Sequence, residues 1–402
     1  MRITYLHQYF NVPSMSGGTR SYEMARRLVA FGHEVNLITT YREPCNRRGW
    51  FTTDECGVKV HWLPVPYSNH LSYAKRLSAF FRFAISAGRK AASIPTDVIF
   101  ATSTPLTIAL PAIFASRCLR VPMVFEVRDL WPELPIAIGA IRNPIVCKAA
   151  QFLEKFAYWS SKEVIALSPG MAEGVAAAGF PCSRITEIPN SSDVDSFFPN
   201  PDWRKSFRSS LGIPDDKILL VYVGTFGRIN DVGYMPMLAK ELLVDPRFYF
   251  LMIGDGYDFE KVKSDSMRLG VLNCNLQILS SMPKRDVPRV FAAADISTSL
   301  FIPLKAMEAN SANKFFDGLS SGCCIAVNYG GWQARLLENS GAGLQLSRDV
   351  VVAASQLQGL IASPGGLEQA KKAARQLAVS QFARDKLASR LEMVLSRACK
   401  SD

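Results

Sequence analysis

A chain of 402 residues, 48% hydrophobic and 20% charged, with 24 Phe and 6 Trp, carries enough apolar material for two separate cores, which excludes a mainly disordered polymer. Its 46 Lys and Arg against 35 Asp and Glu leave a net charge of +11 and a pI near 9.2, a balance that favours polyanionic partners such as nucleic acid, anionic lipid or phosphorylated ligands. Nine cysteines form no CxxC pair, the four histidines (His7, His33, His61, His70) lack metal-ligand spacing, and the chain opens Met-Arg-Ile-Thr-Tyr without the apolar core of a secretory signal, so reduced thiols in the cytoplasm and no metal site are expected.

Short β-branched runs alternate with longer helical patterns, the pattern of βαβ units on a parallel sheet, and the alternation occurs twice. The first set predicts strands at Ile3 to His7, Glu34 to Thr39, Val58 to Leu63, Asp97 to Ala101, Met123 to Val127, Glu163 to Leu167 and Arg184 to Ile188. The apolar stretch Val98 to Ser116, broken by Pro105 and Pro111, reads as strand, turn and buried helix rather than a membrane span. After Pro189 an Asn, Ser, Asp and Pro cluster marks a linker. Strands then resume at Ile218 to Val223, Phe248 to Ile253, Asn275 to Leu279, Asp295 to Ser299 and Cys323 to Val327, and three closing helices follow Val350. The expected architecture is α/β, with two Rossmann-like doubly wound domains, 1–192 and 193–402, facing across a cleft, and the last helix packing back on the first domain.

In open α/β sheets, ligands bind beyond the carboxyl ends of the strands, and the motifs fall there. Gly17-Gly18 after the first strand lets the backbone approach a ligand and opens a helix whose N-terminus suits phosphate. In the second half, Ile218 to Val223 runs into Gly224-Thr225-Phe226-Gly227-Arg228, where Arg228 is a candidate phosphate ligand. A third element, Glu308 to Gly322, offers Ser311 or Asn313 as a helix cap, Lys314 for pyrophosphate, Asp317 for ribose hydroxyls and Gly322 at the C′ position. Two decoys are discounted. Gly254-Asp255-Gly256 lacks the third glycine of a dinucleotide fingerprint, and Asp193-Val194-Asp195 reads as turn chemistry rather than a metal-binding acid pair.

The order of these elements, with Gly330-Gly331 after the next strand, resembles family 4 glycosyltransferases of the GT-B fold, and Val127-Arg128-Asp129-Leu130-Trp131-Pro132-Glu133 is similar to bacterial enzymes that transfer fucosamine-type sugars in O-antigen or capsule assembly. The resemblance implies retaining transfer from a nucleotide diphosphate sugar without a required metal or other cofactor. It also implies donor binding by Gly17, Gly18, Gly224, Thr225, Glu308, Asn313 and Asp317, with Arg228 and Lys314 meeting the leaving diphosphate. The sequence departs from the family's pattern in three places. The paired acids eight apart become Ala309 and Asp317, with Glu308 one residue off; a usual Arg and Lys fall at Thr225 and Asn230; and Arg128 stands where many members have His. These changes point to an unusual donor such as a 6-deoxy amino sugar, expected to be UDP-linked. Asp129 can orient the acceptor hydroxyl or stabilise the cationic ring, and Arg128 and Glu133 are expected at a lipid-diphosphate-linked saccharide acceptor.

Thirteen basic residues against five acidic ones lie in residues 1–92, and no acid occurs between Glu55 and Asp97. There Ser72 to Ala92 interleaves Lys75, Arg76, Arg82, Arg89 and Lys90 with Phe and Leu, as expected of an amphipathic helix on an anionic membrane surface, at the cytoplasmic face. Two other readings remain open at this stage. A nucleotide-sugar epimerase shares the fold but needs no membrane-facing segment, and a basic nucleic-acid-binding protein would show a recognised motif, which is absent, so nucleic acid is not expected as a partner.

Overall fold

The computed structural model describes residues 1–15, 17–43, 45–65, 73–129, 131–137, 139 and 141–400, without the side chains of 73–77 and 79. Ser72, His70, Leu130 and the side chains of Lys75 and Arg76 therefore lie outside the described residues. In the first domain the chain runs β1 (Arg2–Leu6), α1 (Arg20–Ala30), β2 (Glu34–Tyr41), β3 (Phe51–Glu55), β4 (Val58–Pro64), α2 (Tyr73–Ala92), β5 (Val98–Thr102) and α3 (Ala109–Leu119). It continues through β6 (Met123–Val127), α4 (Glu133–Ala137), α5 (Pro144–Trp159), β7 (Glu163–Ala166), α6 (Pro169–Ala177) and β8 (Ile185–Glu187). The second domain comprises α7 (Pro201–Ser210), β9 (Ile218–Val223), α8 (Tyr234–Glu241), β10 (Phe248–Ile253), α9 (Phe259–Arg268), β11 (Leu276–Leu279), α10 (Val287–Ala293) and β12 (Ile296–Ser299). Then follow α11 (Asn313–Ser320), β13 (Cys324–Val327), α12 (Trp332–Ser340), β14 (Gly343–Gln345), α13 (Val350–Ala362), α14 (Gly366–Gln381) and α15 (Arg384–Cys399).

The strands form two sheets, ordered β3-β4-β2-β1-β5-β6-β7-β8 and β11-β10-β9-β12-β13-β14. All pairings are parallel except β3 with β4, an antiparallel edge hairpin closed at Cys56-Gly57. The predicted strands are all present. The sequence reading missed β3, whose Thr-Thr-Asp-Glu run looks like a loop because an edge strand has only one neighbour to bury against, and the three-residue β14. Central strands such as β5 and β6 are buried along their whole length, since helices cover both faces, and this is why their runs are continuously apolar rather than alternating.

Two joints fix the relation of the domains. The first is helix α15, which leaves the second domain and buries Leu387, Leu391 and Leu395 in a core shared with Tyr5, Leu28 and Val35 of the first. The second centres on Arg20, fully buried at the start of α1, which donates to Glu126 on β6 at 2.8 and 3.1 Å and to the carbonyls of Ile188 and Pro189 at the linker. Asp193, in the discounted acid pair, bridges Arg26 and Arg27 of α1, so it serves the hinge.

Candidate active site

In both sheets the strand order reverses at the strand that precedes a glycine loop, at β1 between β2 and β5 and at β9 between β10 and β12. Loops diverge to opposite faces at such a switch point and leave a crevice. The two crevices face each other across a narrow seam. There Asn190 donates its backbone N–H to Ser311 Oγ at 3.0 Å and its side-chain amide to the Ser311 carbonyl, while Ser168 Oγ donates to the Ala309 carbonyl at 2.6 Å. Ser311 is thus used between domains, and α11 begins without a side-chain cap. Gly18 sits so close to Asn313 that a Cβ there would lie 2.7 Å from its Nδ2. The resulting cleft has two lobes, of about 540 and 340 Å³, which share Asn11, Gly18, Phe301, Ala312 and Asn313.

The larger lobe lies against the second domain and is lined by Gly17, Gly224, Thr225, Asn230, Lys284, Lys314 and Asp317, among others. Lys314 is buried and donates to the Tyr222 hydroxyl at 3.2 Å, with its ammonium 4.3 Å from the Tyr222 ring centroid and 5.2 Å from that of Phe301. No carboxylate among the described residues pairs with it, and burial pushes its pKa down to about 7. Gly224 packs against this ammonium; a Cβ there would stand 3.5 Å from Nζ, so a small residue keeps the approach to Lys314 open. One turn further along α11, Asp317 is 2% exposed; its Oδ2 is paired with Lys284, whereas its buried Oδ1 has no hydrogen-bond partner among the described residues. Gly254 and Gly256 pack on the 224–226 loop, where a Cβ on Gly254 would overlap the Gly224 carbonyl oxygen, and Ile253, Gly254 and Asp255 form part of the lobe wall. An unsatisfied carboxylate oxygen and an ammonium without a carboxylate partner, lining one lobe at the carboxyl end of a parallel sheet, are suited to a polyhydroxylated phosphate ester: hydroxyls donate to Asp317 and phosphate oxygens accept from Lys314.

The smaller lobe lies against the first domain and contains His7, Thr104, Arg128, Asp129, Leu134 and Asn190. Asp129 is held by Thr104 Oγ1 at 2.6 Å, and the Arg128 backbone N–H by Ser103 Oγ at 2.9 Å, so both side chains start from a fixed loop. Burial together with the charges of Arg128 and Arg42 pushes the His7 imidazole well below its ordinary pKa, which leaves it neutral beside the Arg128 guanidinium at 3.4 Å. Behind it, burial alone would raise the Glu126 carboxyl, but Arg20 and Arg128 more than offset this and hold it below its usual value. Among the described residues, no group of three or more His, Cys, Asp or Glu side chains is arranged to hold a metal.

The cleft therefore gathers Gly17, Gly18, Gly224, Thr225, Asn313, Lys314 and Asp317 in one lobe and Arg128 and Asp129 in the other. It does not gather three further candidates. Arg228 is exposed, with its guanidinium 4.4 Å from the centroid of the exposed Tyr257 ring, so it faces solvent rather than the expected diphosphate position. Glu308 is exposed at a 3-10 turn, packed beside Gly330 and Gly331. Glu133 starts the short helix α4 and is exposed; its charge adds to the burial that raises the carboxyl of Glu154 on α5. Conversely, Lys284 and Arg42, which belong to no motif, line the larger lobe from the loops after β11 and β2. A separate hollow of about 720 Å³ lies between α7, α10 and α14. Several of its cations are already engaged, Arg204 and Lys371 by Asp295 and Arg375 by the Phe197 and Ser320 carbonyls, so the cleft remains the better-equipped site.

Residues 17–191 match the model of a glycosyl transferase 4-like domain. Alpha-galactosylglucosyldiacylglycerol synthase of Streptococcus pneumoniae is 26% identical over 133 residues, 31% of this chain and 35% of that protein. The putative colanic acid biosynthesis glycosyl transferase WcaI of Escherichia coli is 23% identical over 287 residues, 67% of this chain and 70% of the relative. Among solved structures, Anabaena HepE in complex with UDP and glucose superposes with a TM-score of 0.71 at 15% identity, covering 99% of this chain and 100% of that one. WaaG, a glycosyltransferase involved in lipopolysaccharide biosynthesis, gives 0.69 at 15% identity over 98% of this chain and 99% of its own. The chain has the two-domain GT-B fold of these glycosyltransferases.

Proposed function

We propose that the chain is a retaining glycosyltransferase that moves a sugar from a nucleotide diphosphate sugar to a lipid-diphosphate-linked saccharide during the assembly of a surface polysaccharide. The donor is read as UDP-linked, and its sugar as a 6-deoxy amino sugar such as N-acetylfucosamine. The reading rests on one observation above the rest: Lys314 and Asp317, whose Oδ1 has no hydrogen-bond partner among the described residues, share one helix and one lobe between the domains. Similarity to proteins described as binding UDP-glucose, or as acting in colanic acid and lipopolysaccharide synthesis, supports the donor and acceptor classes.

Cleavage of the anomeric C–O bond leaves negative charge on the diphosphate and positive charge on the ring. Lys314 meets the first, with the N-terminal end of α11 beside it, and removal of a preorganised cation of this kind costs about 3–4 kcal/mol in the transition state. Asp317 accepts the ribose hydroxyls while Lys284, paired with its other oxygen, keeps the carboxylate oriented. In the smaller lobe Asp129, fixed by Thr104, orients the acceptor hydroxyl or faces the cationic ring, and Arg128 holds acceptor phosphate. The proton of the attacking hydroxyl leaves with the departing phosphate, which becomes basic as the bond breaks. Arg82 and Arg89, exposed on α2, face an anionic membrane at its cytoplasmic side.

The test is a thermal-shift panel of UDP-, GDP- and TDP-sugars with wild type and Asp317→Asn. A specific donor at 100 times its dissociation constant stabilises wild type by about 2.7 kcal/mol, and Asp317→Asn loses most of that shift. No shift with any donor would refute the reading.

A further inference from the structure

The hollow of about 720 Å³ in the second domain lies where several elements meet: the linker entering α7, the ends of α10 and α11, one face of α14 and the start of α15. Pro199, Pro201, Ala292, Ala294 and Val379 give it apolar walls. Five cations, Arg204, Lys371, Lys372, Arg375 and Lys386, open on it against one carboxylate, Glu368. A concavity of this size encloses a small organic molecule, and apolar walls with a few convergent charges are what such a molecule requires.

Negative charge is scarce around these cations. Asp295, buried next to Ala294, is shared by Arg208 at 2.6 Å, Arg204 at 3.0 Å and Lys371 at 3.6 Å, and Glu368 pairs with the same Lys371 at 2.8 Å. Arg375 has no ion pair among the described residues, and Asp195 of the linker acts on its charge only from beyond ion-pair range. Exposed Lys386 donates to the Ser380 carbonyl at 3.0 Å, and exposed Lys372 has no ion pair or hydrogen bond among the described residues. Cations gathered in a concavity with so few counterions focus a potential that attracts an anion. The carbonyls at the ends of α10 and α11, which would repel one, are already covered: Arg204 and Arg208 donate to Ala293, and Arg375 to Ser320 at 2.6 Å. Arg375 also donates to the Phe197 and Val194 carbonyls, so one guanidinium ties the linker to the end of α11. Helix α11 is about 12 Å long. It carries Lys314 and Asp317 into the donor lobe and ends at the hollow, where Gly322 packs so closely on the linker that a Cβ would lie 3.0 Å from Pro199 Cγ.

We propose that this hollow is an effector site for a phosphate ester with an apolar body, held by Lys372, Lys386 and Arg375 and felt at the linker and along α11. The site is separate from the donor cleft, and its test needs no donor. The full chain is titrated calorimetrically with 1-naphthyl phosphate, and separately with inorganic phosphate and with 1-naphthol. Wild type binds one equivalent of the ester at least tenfold more tightly than either fragment. Lys372→Gln/Lys386→Gln weakens binding about tenfold, the scale of two exposed ion pairs, and Val379→Trp, which obstructs the apolar wall, weakens it without changing a charge. All three side chains are exposed, so melting temperature stays at the wild-type value. Lys314→Met/Asp317→Asn, altered only in the cleft, binds the ester as wild type does. In hydrogen exchange, the bound ester slows amides of residues 193–200 and 313–322 in wild type and not in Lys372→Gln/Lys386→Gln. No binding by wild type, or equal binding by the hollow variants, would overturn the proposal. So would binding lost in Lys314→Met/Asp317→Asn, which would assign the ester to the cleft, or binding that leaves the linker and α11 amides unchanged, which would make the hollow a passive surface crevice. Failure of every nucleotide sugar to bind, with these results intact, would count against the transferase reading alone.

Discussion

Lys314 is a cation stored without its counterion. Its pKa of about 7 lies well below the ordinary 10.5 because burial disfavours the charged form, and the Tyr222 hydroxyl and ring replace only part of the lost hydration. Between these two values the folded chain holds fewer protons here than the unfolded chain, so the residue's contribution to ligand-free stability rises with pH across that window and is most unfavourable below it. A bound diphosphate reverses the balance and draws a proton onto Nζ. Donor affinity should therefore be level below about pH 7 and fall by up to tenfold per unit above it, with about one proton taken up on binding at pH 8. Calorimetry in two buffers of different ionisation enthalpy reads that proton directly; in Lys314→Met the residual affinity should be weak and flat with pH.

At the level of elements, the alternation of apolar runs and helical patterns carried the fold, since buried parallel strands such as β9 and β10 have few ways to be read otherwise. Side-chain direction was less legible. Arg228 follows β9 as expected, but the turn after Gly227 directs it toward Tyr257 rather than the cleft, and Glu308 turns outward on the 3-10 segment before α11. Lys284 and Arg42 escaped notice because each belongs to a loop without a motif and meets the donor lobe only through tertiary folding. The same holds for Arg20 with Glu126, 106 residues apart and joined only in the core. Helix α15 makes a testable case of such long-range structure. Leu391, 1% exposed, packs against the first domain from the far end of the chain, so Leu391→Ala should reduce unfolding free energy by about 2–5 kcal/mol in urea titration, where a surface helix residue would cost a few tenths.

For the whole molecule, the two sheets place their switch points face to face, and the seam of Asn190, Ser311, Ser168 and Ala309 sets the distance between the lobes. The net charge of +11 divides accordingly. Lys314, Lys284 and Arg128 line the cleft, and exposed cations of α2, α3 and α5 lie on the outer face of the first domain. The most direct test of the central claim is turnover of a panel of UDP-amino sugars with a short-chain lipid-diphosphate saccharide, with product mass and anomeric configuration read by mass spectrometry and proton NMR. Wild type should release UDP and form a product that keeps the donor's anomeric configuration, and Lys314→Met should lose at least about a hundredfold in rate, the scale of a missing charge stabiliser. An inverted product, no consumption of any donor, or an unimpaired Lys314→Met enzyme would contradict the account.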